Sequence, residues 1–252
     1  MSGSFLTQKK RLDQILVDRG LASSRGRAQS LIMAGKVYSD TKRLDKSGVQ
    51  FNEDLIIELK GEDHPWVSRG GVKLEHGIKA FGLNVLDSVC LDIGASTGGF
   101  THVLLKNGAK RIYAVDVGHG QLAWKIRNND RVVVIERFNA RYLTLNEIPE
   151  KIDFICCDAS FISLKTILPA ALQLAGSRAH LLALIKPQFE VGKEHVGRTG
   201  VVQDISLHQL VCRDISDWLT NVKNWRVLGI EQSPIKGPKG NIEFLILAKF
   251  NK

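Results

Sequence analysis

From residue 89 onward the sequence alternates short apolar runs with helical segments, and this alternation constrains the fold more than any other feature. Residues 89–93, 111–115, 132–135, 152–157, 180–185, 227–231 and 242–248 read as strands, with helices starting at Gly98, Leu164 and Leu207. Parallel neighbours need crossover connections, and helices on those crossovers cover both faces of the sheet. The expected unit is therefore α/β, with a mostly parallel sheet of seven strands between helices.

At 252 residues the chain has room for one large domain or for a small one beside a medium one. A hydrophobic content of 44% with 24% charged residues excludes a disordered chain and allows a sizeable core. The four cysteines, Cys90, Cys156, Cys157 and Cys212, form no CxxC pair and have no histidine spaced as a co-ligand, so neither a metal site nor a disulfide framework is expected. Cys156 and Cys157 lie in an apolar run and read as small buried hydrophobes of a reducing compartment. The N-terminus lacks a signal-peptide core. The most apolar stretch, residues 168–185, is interrupted by Gln173, Gly176, Ser177, Arg178 and His180. A cytoplasmic protein without stable membrane association is expected.

The net charge of +9 points to a polyanionic partner, although solubility alone also calls for charge. Its distribution favours the partner: residues 9–46 hold ten Lys or Arg against four Asp. In that segment Leu12, Ile15 and Leu16 have helical spacing before Gly20. Ser23 or Ser24 then caps a second helix with Ala28, Leu31 and Ile32 on its apolar face, ending near Gly35. A strand-rich stretch follows from Val37 to Leu59. Arg25 and Arg27 fall in the first turn of the second helix, where the helix dipole disfavours cations. A phosphate would compensate, since helix N-terminal amides and guanidinium forks both favour an anion; the alternative is that both side chains point into water.

The run Arg11-Leu12-Asp13, Gly20-Leu21, Ser24-Arg25, Ala28, Leu31-Ile32, Gly35 and Val37 resembles the S4 RNA-binding domain. The resemblance implies an α+β module over residues 1–60 that binds RNA, with Arg11, Arg25, Arg27, Lys36, Lys42 and Arg43 as candidate contacts. Residues 61–71 combine Pro, glycines and charges and read as a linker, leaving 72–252 for the larger domain.

Asp92, Gly94, Ala95, Ser96, Thr97, Gly98, Gly99 and Phe100 follow or end the first strand and open the first helix of the alternation. Glycines there let a ligand approach the backbone at the carboxyl edge of the sheet, a feature dinucleotide enzymes share. Asp116 ends the next strand, where an acid accepts from ribose hydroxyls. Two details favour S-adenosylmethionine (SAM) over NAD. Asp92 places a carboxylate where a pyrophosphate is repelled and a cationic sulfonium is welcome, unless it serves as a helix-capping acid. The spacing also departs from G-x-G-x-x-G. Asn139-Ala140 after the third strand is positioned to bond an adenine edge, or to form a turn.

Asp158 and Lys186 stand just beyond apolar strands, at the edge that faces this loop. Charges there need partners, so a strand-end salt bridge is one reading. The order Lys73, Asp158, Lys186, Glu243 resembles the Lys-Asp-Lys-Glu tetrad of FtsJ-like ribose 2′-O-methyltransferases. With the S4-like segment and the runs ASTGGF, DASFIS, KPQFEVGK and GNIEF, nearly the whole chain is similar to the haemolysin A (TlyA) family. The resemblance implies a Rossmann-like SAM-dependent methyltransferase domain acting on cytidine 2′-hydroxyls of ribosomal RNA, with ribosomal subunits as partners. Asp158 then touches both the cofactor and the tetrad.

The chemistry is coherent by itself. Methyl transfer to a hydroxyl oxygen requires in-line placement and removal of a proton. A lysine, ordinarily with a pKa of about 10.4, is a base only where burial or another cation favours its neutral form. Lys73 is placed to exert that effect on Lys186, the expected base, while Asp158 and Glu243 orient the pair. Two rival readings are a membrane-damaging haemolysin, which lacks a spanning segment or pore strand here, and a non-catalytic RNA-binding protein that would not bind SAM.

Overall fold

The structure, a computed structural model, describes residues 9–22, 24–60, 64–197, 199–222 and 224–251. It divides into two compact units, Met1–Asp63 and His64–Lys252.

In the first unit β1 (Lys9–Arg11) leads into α1 (Leu12–Asp18) and α2 (Arg25–Met33), followed by β2 (Val37–Ser39), β3 (Lys42–Arg43), β4 (Gln50–Asn52) and β5 (Glu58–Leu59). β1 pairs with β4, and β2 lies between β3 and β5. Leu12, Leu16, Ala28, Leu31, Ile32 and Val37 form its core. Each large aliphatic side chain so buried contributes about 1.5–3 kcal/mol. Ser24 caps α2 by accepting from the Arg27 amide at 3.2 Å; Ser23, the other candidate, lies outside the described residues.

The second unit opens with α3 (Gly70–Ala80), which the sequence reading did not anticipate. Residues 64–71 pack on this unit, and residues 61–63 lie outside the described ones. Trp66 is buried edge-on to His102, with centroids 5.3 Å apart, and its indole donates to Glu75 at 3.0 Å. The glycines that resemble a linker in sequence form a packing seam. A Cβ on Gly99 would lie 2.8 Å from the Gly71 nitrogen, so α3 and the following helix, α4 (Gly99–Lys106), approach backbone to backbone.

The remaining elements are β6 (Val89–Ile93), β7 (Arg111–Val115), α5 (Trp124–Arg127), β8 (Val132–Ile135), β9 (Ile152–Cys157), α6 (Leu164–Gln173), β10 (Ala175–Ile185), α7 (Pro187–Glu190), α8 (Ile205–Asn221), β11 (Trp225–Gln232) and β12 (Phe244–Phe250). The sheet has seven strands in the order β11-β12-β10-β9-β6-β7-β8. β12 is antiparallel to both its neighbours, and the other pairings are parallel. Both faces are covered: Leu91, Ile93, Tyr113 and Ile155 belong to one core with Leu168 and Ile215, while Cys90, Ala114 and Cys156 belong to another with Leu74 and Leu104. Such strands read as continuous apolar runs.

From β6 the chain winds outward through β7 to β8, then returns to β9 on the other side of β6. The carboxyl ends of β6 and β9 therefore form the topological switch point where ligands of open α/β sheets bind. Among the described residues no helix is long and apolar enough to cross a membrane.

Candidate active site

A cavity of 410 Å³ opens at the switch point, and Gly94, Ser96, Asp116, Asn139, Ala140 and Asp158 stand in its wall. Gly94 has φ of +80°, and a Cβ there would lie 3.0 Å from the Asp158 carbonyl oxygen. Only a residue without a side chain lets the ends of β6 and β9 approach so closely. Asp116 accepts from the Ser96 amide at 2.8 Å and the Gly118 amide at 2.7 Å, which fixes its carboxylate at the rim. Asn139 accepts from the Arg141 amide at 3.1 Å and caps a short turn while remaining in the wall.

Ala95, Thr97, Gly98, Gly99 and Phe100 lie outside this wall. Phe100 is buried in the core beside α3, and the Thr97 carbonyl accepts from the Ala123 amide at 3.1 Å. Asp92 also lies beneath the loop, fully buried, accepting from the Thr101 hydroxyl at 2.6 Å. Its other oxygen has no partner, and burial pushes its carboxyl up to about 7. The carboxylate expected beside a cationic ligand is thus an internal group. Gln121, Phe138 and Ile167 also line it without a signal in the sequence, and Ile162 does so from the run that carries Asp158.

Lys73 from α3, Asp158 after β9, Lys186 after β10 and Glu243 before β12 converge at the same sheet edge. Lys73 Nζ donates to Glu243 Oε2 at 2.6 Å and lies 3.7 Å from Asp158 Oδ2. Lys186 Nζ lies 2.6 Å from Asp158 Oδ1 and donates to Ser160 Oγ at 3.0 Å. Asp158 thereby bridges the two lysines, and the strand-end salt bridge and the tetrad are one arrangement. Lys73, Lys186 and Glu243 are buried, so each charge depends on the others for compensation.

A second cavity, of 230 Å³, has Ser160, Phe161, Lys186, Gln188, Asn241 and Glu243 among its lining. Ser160 and Phe161 line both cavities. Their segment stood out in the sequence, but neither had an assigned role. Asn241 accepts from the Val202 amide at 3.1 Å and donates to the Gly200 carbonyl at 2.9 Å, tying the segment before Glu243 to another loop.

In the first unit Asp13 is completely buried and accepts from both Nε and Nη2 of Arg11, from Arg25 and from Gln29. These donors, Arg11 foremost, hold its carboxyl well below the usual range. The cation in the first turn of α2 therefore has an internal counter-charge. Arg11 and Arg25 still keep 45% and 53% of their side chains exposed, so neither is consumed by that pairing. Lys42 and Arg43 are exposed on β3, and Arg27 and Lys36 are half-buried.

A doubly wound sheet with its sixth and seventh strands exchanged, and two cavities meeting at a charged tetrad, define the methyltransferase class of α/β enzymes. The FtsJ-like methyltransferase family matches residues 66–250 and the S4 domain family residues 10–57, and the chain belongs to the FtsJ-like methyltransferases. It is 47% identical to "Putative rRNA methyltransferase YqxC" of Bacillus subtilis over 241 residues, 95% of this chain and 85% of the relative. It is 44% identical to the 16S/23S rRNA (cytidine-2′-O)-methyltransferase TlyA of Mycobacterium tuberculosis over 244 residues, 96% and 90% of the two chains. A solved structure, "Putative hemolysin" from Streptococcus thermophilus, superposes with a TM-score of 0.77 at 41% identity, covering 98% of this chain and 90% of the other.

Proposed function

We propose that this methyltransferase transfers the methyl group of SAM to the ribose 2′-hydroxyl of a cytidine in ribosomal RNA, acting on ribosomal subunits in the cytoplasm. The observation that carries the reading is the position of three tetrad residues in the walls of the two cavities: Asp158 lines the first, and Lys186 and Glu243 line the second. A donor in one cavity and an acceptor in the other would meet at Lys186 and Asp158. The similarity to the M. tuberculosis enzyme supports ribose as the acceptor and ribosomal RNA as its source.

The first cavity fits SAM in its donor set. Asp116 offers a fixed carboxylate for ribose hydroxyls, Asn139 and Ala140 offer polar edges to an adenine, and Phe138, Ile162 and Ile167 supply apolar walls. Gly94 keeps the floor free of a side chain. Ser96 contributes to the loop's hold, and Asp92, Ala95, Thr97, Gly98, Gly99 and Phe100 act through that loop rather than by lining the cavity. When bound, SAM supplies an electrophilic methyl group on a sulfonium.

Lys186, after giving up its own ammonium proton, takes the 2′-hydroxyl proton on the neutral amine as the oxygen attacks and later releases it to water, which restores the base. Asp158 fixes Lys186 in place, and Lys73, itself held by Glu243, steadies Asp158 from the other side. In the S4 domain Arg11, Arg25, Arg27, Lys36, Lys42 and Arg43 hold RNA phosphates, giving affinity without base specificity. The direct test supplies labelled SAM and ribosomal subunits from cells lacking this protein, then maps the label. Protection of one phosphodiester from alkaline cleavage is expected, and label on a base would refute the ribose mechanism.

A further inference from the structure

Outside the tetrad, one half-buried carboxylate joins the two segments that carry Asp158 and Lys186. Glu190, the last residue of α7, accepts from the Ser163 hydroxyl at 2.6 Å and from the Leu164 amide at 2.8 Å. Burial pushes its carboxyl up from the ordinary value, so ionised Glu190 is held at a cost. Part of that cost is offset at the N-terminus of α6, where Ser163 accepts from the Lys165 amide at 3.2 Å and Glu190 takes up the Leu164 amide. What Glu190 adds is a bond to a different loop.

Several links connect the segment 158–164 to the segment 186–190, among them Lys186 Nζ donating to Ser160 Oγ at 3.0 Å, and they occur in the same order along both. Asp158 Oδ1 meets Lys186 Nζ at 2.6 Å, the rings of Phe161 and Phe189 lie 5.0 Å apart, and Ser163 with Leu164 meets Glu190. Phe161 between them has φ of +64°, a conformation costly for a bulky residue, and its side chain is 90% exposed. An exposed, strained residue cannot hold the loop by burial. Beyond it the loop is held by Ile162 and Leu164 in the core and, across to the segment 186–190, by the two bonds to Glu190.

We infer that Glu190 is a positioning residue of the transfer reaction: its two hydrogen bonds fix the loop bearing Asp158 against the loop bearing Lys186. This rests on the reaction proposed above. A displacement of about 1 Å at reacting groups costs on the order of 100-fold in rate, so a clamp of this kind acts on turnover more than on binding.

The test compares wild type with Glu190→Ala, which removes both acceptors, and with Glu190→Gln, which keeps the shape and one acceptor should the alanine variant fold poorly. Single-turnover methylation is expected to fall roughly 10- to 100-fold in Glu190→Ala and less in Glu190→Gln, a larger change than that in SAM affinity, which the loop touches through Asp158 and Ile162. A second readout does not depend on activity: acylation of lysines by an amine-reactive ester, followed by mass spectrometry. Loosening the clamp is expected to speed labelling of Lys186 while that of Lys73, on α3, stays constant. Unchanged labelling of Lys186 overturns the inference whatever the rate, as does wild-type turnover in the alanine variant. If wild type methylates no ribose, the labelling arm alone decides the clamp, so its failure is separable from failure of the proposed reaction.

Discussion

Lys73 and Glu243 stand 170 positions apart in the chain and meet with Nζ 2.6 Å from Oε2, both buried. Neither charge is tolerable there alone. Lys73→Met leaves Glu243 without a counter-charge and is expected to cost about 3–5 kcal/mol in denaturant unfolding. Glu243→Gln costs less, because Lys73 retains Asp158 at 3.7 Å. Combining Lys73→Met with Glu243→Leu should recover most of the stability while transfer stays lost. A double variant no more stable than Lys73→Met would show that the pair is not the source of the loss.

Lys186→Met keeps an unbranched apolar stem and removes the amine. The fold and SAM affinity should largely survive, whereas methyl transfer to ribosomal RNA should fall by about 10²–10⁴, the usual cost of losing a general base. Calorimetry with SAM and single-turnover assays separate the two effects, and near wild-type transfer would remove Lys186 from the mechanism.

Asp92 sets a pH dependence of stability. Burial raises its carboxyl from 3.8 to about 7, so between those values the folded state binds more protons than the unfolded state. Stability contributed by this group therefore falls as pH rises through the window and levels off above it. Asp92→Asn cannot ionise, and its stability relative to wild type should climb by on the order of 3 kcal/mol across the window. Chemical denaturation at pH 4.5 and 8 measures the difference, and a constant offset would mean that Asp92 titrates alike in both states.

In the S4 domain, replacing Arg25 and Arg27 by Gln leaves Asp13 bound by Arg11 and Gln29. The fold should persist while RNA binding weakens, with a shallower slope of log affinity against log salt. Equal slopes would assign both arginines to structure alone.

The seven strands and their mostly parallel pairing were legible because both faces of the sheet are buried and leave long apolar runs. The start of α3 was hidden by glycines that serve close packing against α4 rather than flexibility. Asp92 was harder. Next to a glycine loop a carboxylate looks ligand-facing, but strand alternation puts it on the face of Cys90, which α3 and α4 cover. Among the tetrad, chain order was readable and closure was not. Lys186 follows its strand and Glu243 precedes its own, and only the antiparallel direction of β12 brings both to one edge.

That reversed strand also sets the timing of the enzyme's birth. The first helix of the catalytic unit contributes Lys73, and the partner that neutralises it arrives just ahead of the seventh strand. A nascent chain emerges N-terminus first, so through most of synthesis Lys73 has only Asp158, 3.7 Å away in the finished fold, and lacks its nearer counter-charge Glu243. The tetrad is therefore complete only when the sheet receives β12, which inserts between β10 and β11 rather than adding to an edge.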